Sequence, residues 1–122
     1  MDILQVSGII VLLLTEFFKS AVSESGKKTM GSLLELIRAK FKGKKEAEKY
    51  LNYFQGSPND AKKQLLVKEQ IKIEMLGDEK FASLLTDLVN NVLTNRQTIF
   101  NNDIDEVNTL IQINTLNGNI NL

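Results

Sequence analysis

The sequence predicts an all-α fold: an up-and-down bundle of four long helices plus one short helix, with a flexible C-terminal tail that is β-forming on assembly. Three observations carry this. Apolar residues recur at spacings of three and four through five successive stretches, each able to bury one face. Gly43, Gly56 and Gly77 fall where those stretches end, and the short loops between them favour antiparallel neighbours. Beyond Thr94 the composition changes abruptly, and the helical pattern fades with it.

The first helix is expected over Ile3 to Val22. Its middle, Ile9-Ile10-Val11-Leu12-Leu13-Leu14, has no polar break. At 100° per residue these six side chains cover the whole circumference, so no face suits water. The helix must be surrounded by the rest of the protein, by a bilayer, or by each in turn. A transmembrane span needs about 20 mostly apolar residues, and Gln5, Ser7, Gly8, Thr15, Glu16 and Lys19 leave this one short. It reads first as the innermost helix of the bundle.

A second helix follows Ser25-Gly26, with Met30, Leu33, Leu34, Ile37 and Phe41 as its stripe. A short third runs from about Lys45 to Gln55, burying Ala47, Tyr50, Leu51 and Phe54. Ser57-Pro58-Asn59-Asp60 opens the fourth, with Ser57 as the expected cap, proline in the first turn and an acidic residue near the positive end of the helix. Ala61, Leu65, Val67, Ile71, Met75 and Leu76 share a broad arc on it. Leu66 and Ile73 lie outside that arc and predict a second neighbour. Asp78 caps the fifth helix, whose stripe is Phe81, Leu84, Leu85, Leu88 and Val92.

The expected organisation is a helical domain over 1–94, a linker over 95–110 and a terminal motif over 111–122. Seven of the twelve asparagines lie between Asn101 and Leu122. The end of the chain, Leu110-Ile111-Gln112-Ile113-Asn114-Thr115-Leu116-Asn117-Gly118-Asn119-Ile120-Asn121-Leu122, has no charge and no proline. Asn117-Gly118 is a strong hairpin-turn signal. Alternation puts Ile111, Ile113, Thr115, Ile120 and Leu122 on one face and Gln112, Asn114, Asn119 and Asn121 on the other, with Leu116 the exception. An isolated hairpin is marginal in water, whereas stacked copies form amide ladders and a dry apolar seam.

Composition narrows the function. The 15 basic residues cancel 15 acidic ones, so no global field points to nucleic acid or an anionic substrate. The distribution is uneven: eight bases lie between Lys27 and Lys49 against Glu35, Glu46 and Glu48. Within that stretch Arg38, Lys40, Lys42, Lys44 and Lys45 are candidates for anionic lipid headgroups, and a solvated helix face is the plainer reading. A nucleic-acid module would need aromatic interleaving, which this stretch lacks. The chain has neither Cys nor His, which removes the usual metal ligands and the commonest nucleophile and base. No enzyme, no cofactor and no metal site are expected. A basic start and a small-residue cleavage site are also missing, so the expected location is cytoplasmic.

The helix end Ala39-Lys40-Phe41-Lys42-Gly43, the short helix Glu46 to Tyr53, Ser57-Pro58-Asn59-Asp60 and Gly77-Asp78-Glu79-Lys80-Phe81-Ala82 together resemble helical domains at the front of bacterial signalling proteins. With a hydrophobic N-terminal helix and a terminal amyloid-like motif, the chain resembles the Bell domain family of bacterial cell-death effectors. That family is similar in plan to fungal HeLo domains and to the four-helix executioner domain of animal necroptosis. Ile111-Gln112-Ile113 also resembles the centre of RIP homotypic interaction motifs, which continue with Gly where this chain has Asn114. The Asn117-Gly118-Asn119 turn is closer to asparagine-rich signalling motifs.

The resemblance implies a relay. A nucleotide-binding receptor with a matching motif templates the tail, effector copies self-associate, and their first helices go to the cell membrane. Ile3, Leu4, Val6, Ile9, Ile10, Val11, Leu12, Leu13, Leu14, Phe17 and Phe18 would then be the inserting residues. The main rival is a non-lytic helical adaptor that merely carries the motif; a frayed terminus with no role is the plainest reading of the tail.

Overall fold

The computed structural model describes residues 2–19, 22–95 and 99. The protein is all-α, with five helices and no strand among the described residues: α1 (Ile3–Phe18), α2 (Glu24–Phe41), α3 (Lys45–Gly56), α4 (Ala61–Gly77) and α5 (Glu79–Thr94).

Local chemistry sets the boundaries. Asp2 caps α1 through a reciprocal box: its carboxylate accepts from Gln5 N–H at 2.8 Å and Gln5 Oε1 accepts from Asp2 N–H at 3.0 Å. α1 ends at Phe18, with Lys19 as its C-cap, short of the expected Val22. Ser23 caps α2 by accepting from Gly26 N–H, so α2 begins at Glu24 and takes in Ser25 and Gly26 rather than following them as expected. Gly43, at φ 84°, takes the left-handed conformation just past the end of α2, which only glycine adopts without strain. α4 corrects the expected cap: Asp60, not Ser57, accepts from Lys62 N–H and Lys63 N–H. Ser57 instead closes α3, its N–H reaching the carbonyls of Tyr53 and Phe54. Asp78 caps α5 as expected, accepting from Phe81 N–H at 3.1 Å.

The core is continuous. α1 packs on α2, α4 and α5, while α4 packs on α1, α3 and α5. Val6, Ile9, Ile10, Val11, Leu13 and Leu14 of α1 are buried against the full α2 stripe Met30, Leu33, Leu34, Ile37 and Phe41 and the inner faces of the other helices. Ala47, Leu51 and Phe54 of α3 are buried, and Tyr50 is half-buried.

α4 and α5 differ from their expected stripes. Only Val67, Ile71 and Met75 of α4 are buried; Ala61 is exposed, Leu65 is 55%, Leu76 68% and Ile73 53% exposed. The broad arc drawn from sequence is therefore too wide. The buried positions recur at every fourth residue and span only about 80° at 100° per residue. On α5, Leu84 is exposed while Val89 and Leu93 are buried. Three- and four-residue spacings fit either choice, and the neighbours packed on each helix select between them: α1, α3 and α5 for α4, and α1, α2 and α4 for α5.

One residue of the expected linker belongs to the core. Ile99 is buried, its N–H bonds to the Asn95 carbonyl, and its own carbonyl accepts from Ser23 N–H at 2.7 Å. Gly26 lies directly beneath it: a Cβ there would overlap the Ile99 carbonyl and sit 2.9 Å from Ile99 Cγ2. The rest of the expected linker after Asn95, and the whole motif over 111–122, lie outside the described residues.

Candidate functional site: the buried first helix and its seat

α1 holds the residues expected to insert. Val6, Ile9, Ile10, Val11, Leu13 and Leu14 are buried, Ile3, Leu12, Phe17 and Phe18 are half-buried, and Leu4 is exposed. Its apolar circumference is thus met by protein almost all the way round. Phe18 sets its ring edge against Phe54 of α3 at 5.2 Å between centroids, and Phe17 stacks on Phe18.

The polar side chains of α1 are satisfied at little cost. Ser7 Oγ donates to the Leu4 carbonyl and Thr15 Oγ1 to the Val11 carbonyl, so both hydroxyls fold back on their own helix. Gln64 of α4 bridges outward, donating to the Pro58 carbonyl at 2.7 Å and reaching Thr15 Oγ1 at 3.4 Å. Glu16, buried but for its tip, pairs with Lys19 at 3.7 Å. Gly8 faces the aliphatic end of Lys68, 3.8 Å from where a Cβ would lie. That leaves α1 few polar ties to its neighbours: it is held chiefly by apolar contact.

Ile99 is seated on the start of α2. Ser23 uses its side chain to cap α2 and its N–H to bind Ile99, and Gly26 supplies the space. Sequence reading takes Gly26 only as part of a loop. The missing signal is tertiary, since nothing local says that a residue seventy-three positions on will press against it.

The cationic stretch turns out to be largely engaged. Lys40 pairs with Asp78 at 2.6 Å and lies 5.4 Å from the Phe81 ring centre, tying α2 to the start of α5. The Lys40 hydrogen bond, with the Phe81 N–H, holds the Asp78 carboxyl below its ordinary value. Lys44 pairs with Glu74 of α4, and Arg38 donates to Gln55 of α3. Lys42 and Lys45 are exposed. A 380 Å³ cleft between α2 and α3 has Arg38, Lys42 and Glu48 around Phe41 and Leu51. A more open groove of 260 Å³ runs along Leu36, Ala39, Phe81 and Leu84, beside the Lys40–Asp78 pair.

No described helix is long and apolar enough to cross a membrane. Among the described residues no group of three or more acidic side chains is placed to hold a metal ion. Comparison with protein-family models, curated proteins and solved structures returns no match to this chain.

Proposed function

We infer that this chain is a cell-death-inducing effector whose first helix exchanges protein for membrane once its C-terminal motif assembles. At rest the protein is cytoplasmic. A matching nucleotide-binding receptor templates residues 111–122, copies gather, and α1 moves to lipid at the cell membrane. In this reading the fold is an up-and-down bundle of four long helices and one short one, supported by helix lengths of 16, 18, 17 and 16 residues against 12 for α3. It is not an enzyme, needs no cofactor and binds no nucleic acid.

The observation that carries the reading is the state of α1. A helix apolar on every side is buried on nearly every side and carries few polar ties. Exposing one of its large apolar side chains to water costs about 1.5–3 kcal/mol, and transfer to lipid removes that cost. At about 24 Å for 16 residues, α1 falls short of the roughly 30 Å hydrocarbon core. It therefore acts from the interface, disordering the bilayer. Ile99 supports the coupling, because it lies in the sequence between α5 and the tail and is seated on the start of α2. Of the cationic candidates, Arg38, Lys42, Lys44 and Lys45 are exposed and only Lys40 is half-buried, so those four are the first to meet headgroups.

One observation favours the rival, a non-lytic adaptor: α4 presents Leu65, Ile73 and Leu76 outward, as a protein-binding helix would. Inducible expression separates the two. Cells expressing the full chain should take up a membrane-impermeant dye, and cells expressing a chain without residues 101–122 should not. Dye exclusion in both, with the tail assembled in the first, would leave the adaptor.

A further inference from the structure

α4 has a second face that no described helix covers. Leu65, Glu69, Lys72 and Leu76 follow one another at spacings of four, three and four, which places them within about 60° of one another on the helix. Leu65 and Leu76 at its two ends are exposed, and the charged pair between them is half-exposed. Exposed Ile73 flanks the stripe. Four-three-four spacing is that of a coiled-coil seam.

We propose that this stripe is a homotypic docking surface, on which α4 of one copy packs antiparallel against α4 of a second. The order of the four residues selects that partner and that direction. In an antiparallel pair centred between Glu69 and Lys72, Leu65 of each copy meets Leu76 of the other, and Glu69 of each meets Lys72 of the other. Both outer layers are apolar, and both central layers join opposite charges. A parallel pair would set Glu69 against Glu69 and Lys72 against Lys72, which is repulsive. Two-fold symmetry generates each contact twice, as an isologous interface requires. In the single copy Glu69 and Lys72 already pair with each other at 3.0 Å, so docking exchanges the two pairs within copies for two between them, and the charges select direction more than they add affinity. One helix pair covers less than the roughly 1,200 Å² of a stable complex. The dimer is therefore weak, and it counts where copies are already concentrated.

The chain has no cysteine, which makes the test clean. Full-length Leu65→Cys and Leu76→Cys proteins are mixed under mild oxidation and the disulfide-linked dimers sorted by mass. The two positions lie about 16 Å apart along one helix, too far to bridge within a chain. The proposal expects mixed dimers well above the approximately one-half share that random pairing gives. An excess of homotypic dimers would show a parallel pair and overturn it.

Charge exchange supplies the second readout, by sedimentation of cysteine-free protein. Glu69→Lys and Lys72→Glu should each weaken self-association by about tenfold, and combining them should restore it to within about threefold. Single exchanges without effect, or a double exchange no better than either, would overturn the proposal. So would a full-length chain that stays monomeric at high concentration while removal of 100–122 allows cross-linking, because the seam would then belong to the chain's own end.

Discussion

α1 and α4 are helices of nearly equal length that sit against each other, and they treat apolar side chains in opposite ways. α1 buries or half-buries every large apolar side chain but Leu4, whereas α4 buries Val67, Ile71 and Met75 and turns Leu65, Ile73 and Leu76 outward. Apolar content alone therefore does not fix burial. α1 has no polar face to offer, so the chain has to wrap it. α4 has enough Lys, Glu and Gln to expose a mixed face and still bury a narrow one. The surplus apolar surface of α1 is hidden and that of α4 is displayed, which suits a stored helix in one case and a contact surface in the other.

The largest break in this comparison should come from truncating α1. Leu13→Ala removes a fully buried side chain from the middle of the core and should cost about 2–5 kcal/mol of unfolding free energy. Thermal or urea denaturation reads it directly. A loss below about 1 kcal/mol would mean that α1 is loosely held and not the centre of the fold.

Next comes the Ile99 seat at the start of α2. Gly26→Ala places a methyl group where the Ile99 carbonyl lies, so either the fold loses about 1–3 kcal/mol or Ile99 leaves its seat. Hydrogen exchange distinguishes the two. Loss of protection at the Ser23 amide, with α3 and α4 unchanged, would show the seat opening by itself. Full protection at Ser23 would mean that the contact does not depend on glycine.

A smaller, pH-dependent effect belongs to the Lys40–Asp78 tie. Because the folded carboxyl titrates below its unfolded value near 3.8, the pair's contribution is fully present above that pH. It is lost as the pH falls through the lower folded value. Lys40→Met should flatten the acid limb of stability against pH and leave the neutral plateau nearly unchanged. An acid limb identical to that of the parent would remove the pair from the account.

Least of all should follow from the outer face of α4. Leu76→Ala or Leu65→Ala should change the stability of the single copy by no more than about 0.5 kcal/mol. A loss as large as that of Leu13→Ala would show that the outer face is covered.

Much of this was legible from residues alone. The five helices, the Gly43 and Asp78 boundaries and the whole α2 stripe follow from periodicity and capping chemistry, because each is decided within one or two turns of chain. The position of α1 was legible for a different reason: six consecutive apolar residues leave no alternative orientation. α4 was not, since its apolar residues fit two arcs and only the placement of α1, α3 and α5 picks between them. The Ile99 seat was equally hidden, joining residues far apart in sequence through a carbonyl and the absence of a side chain. Among the basic candidates, sequence shows charge but not partners, and Asp78 and Glu74 are brought to Lys40 and Lys44 only by folding.

The claim on which the rest depends is that α1 changes neighbours, from protein to lipid, when tails assemble. Leu12, half-buried on α1, is a site for one environment-sensitive fluorophore through Leu12→Cys in this otherwise cysteine-free chain. Labelled protein is mixed with anionic vesicles carrying a lipid-phase quencher, then seeded with preassembled peptide of residues 111–122. The account predicts an unquenched label before seeding and quenching that grows with assembly. Assembly proceeding to completion with the label still unquenched would contradict it.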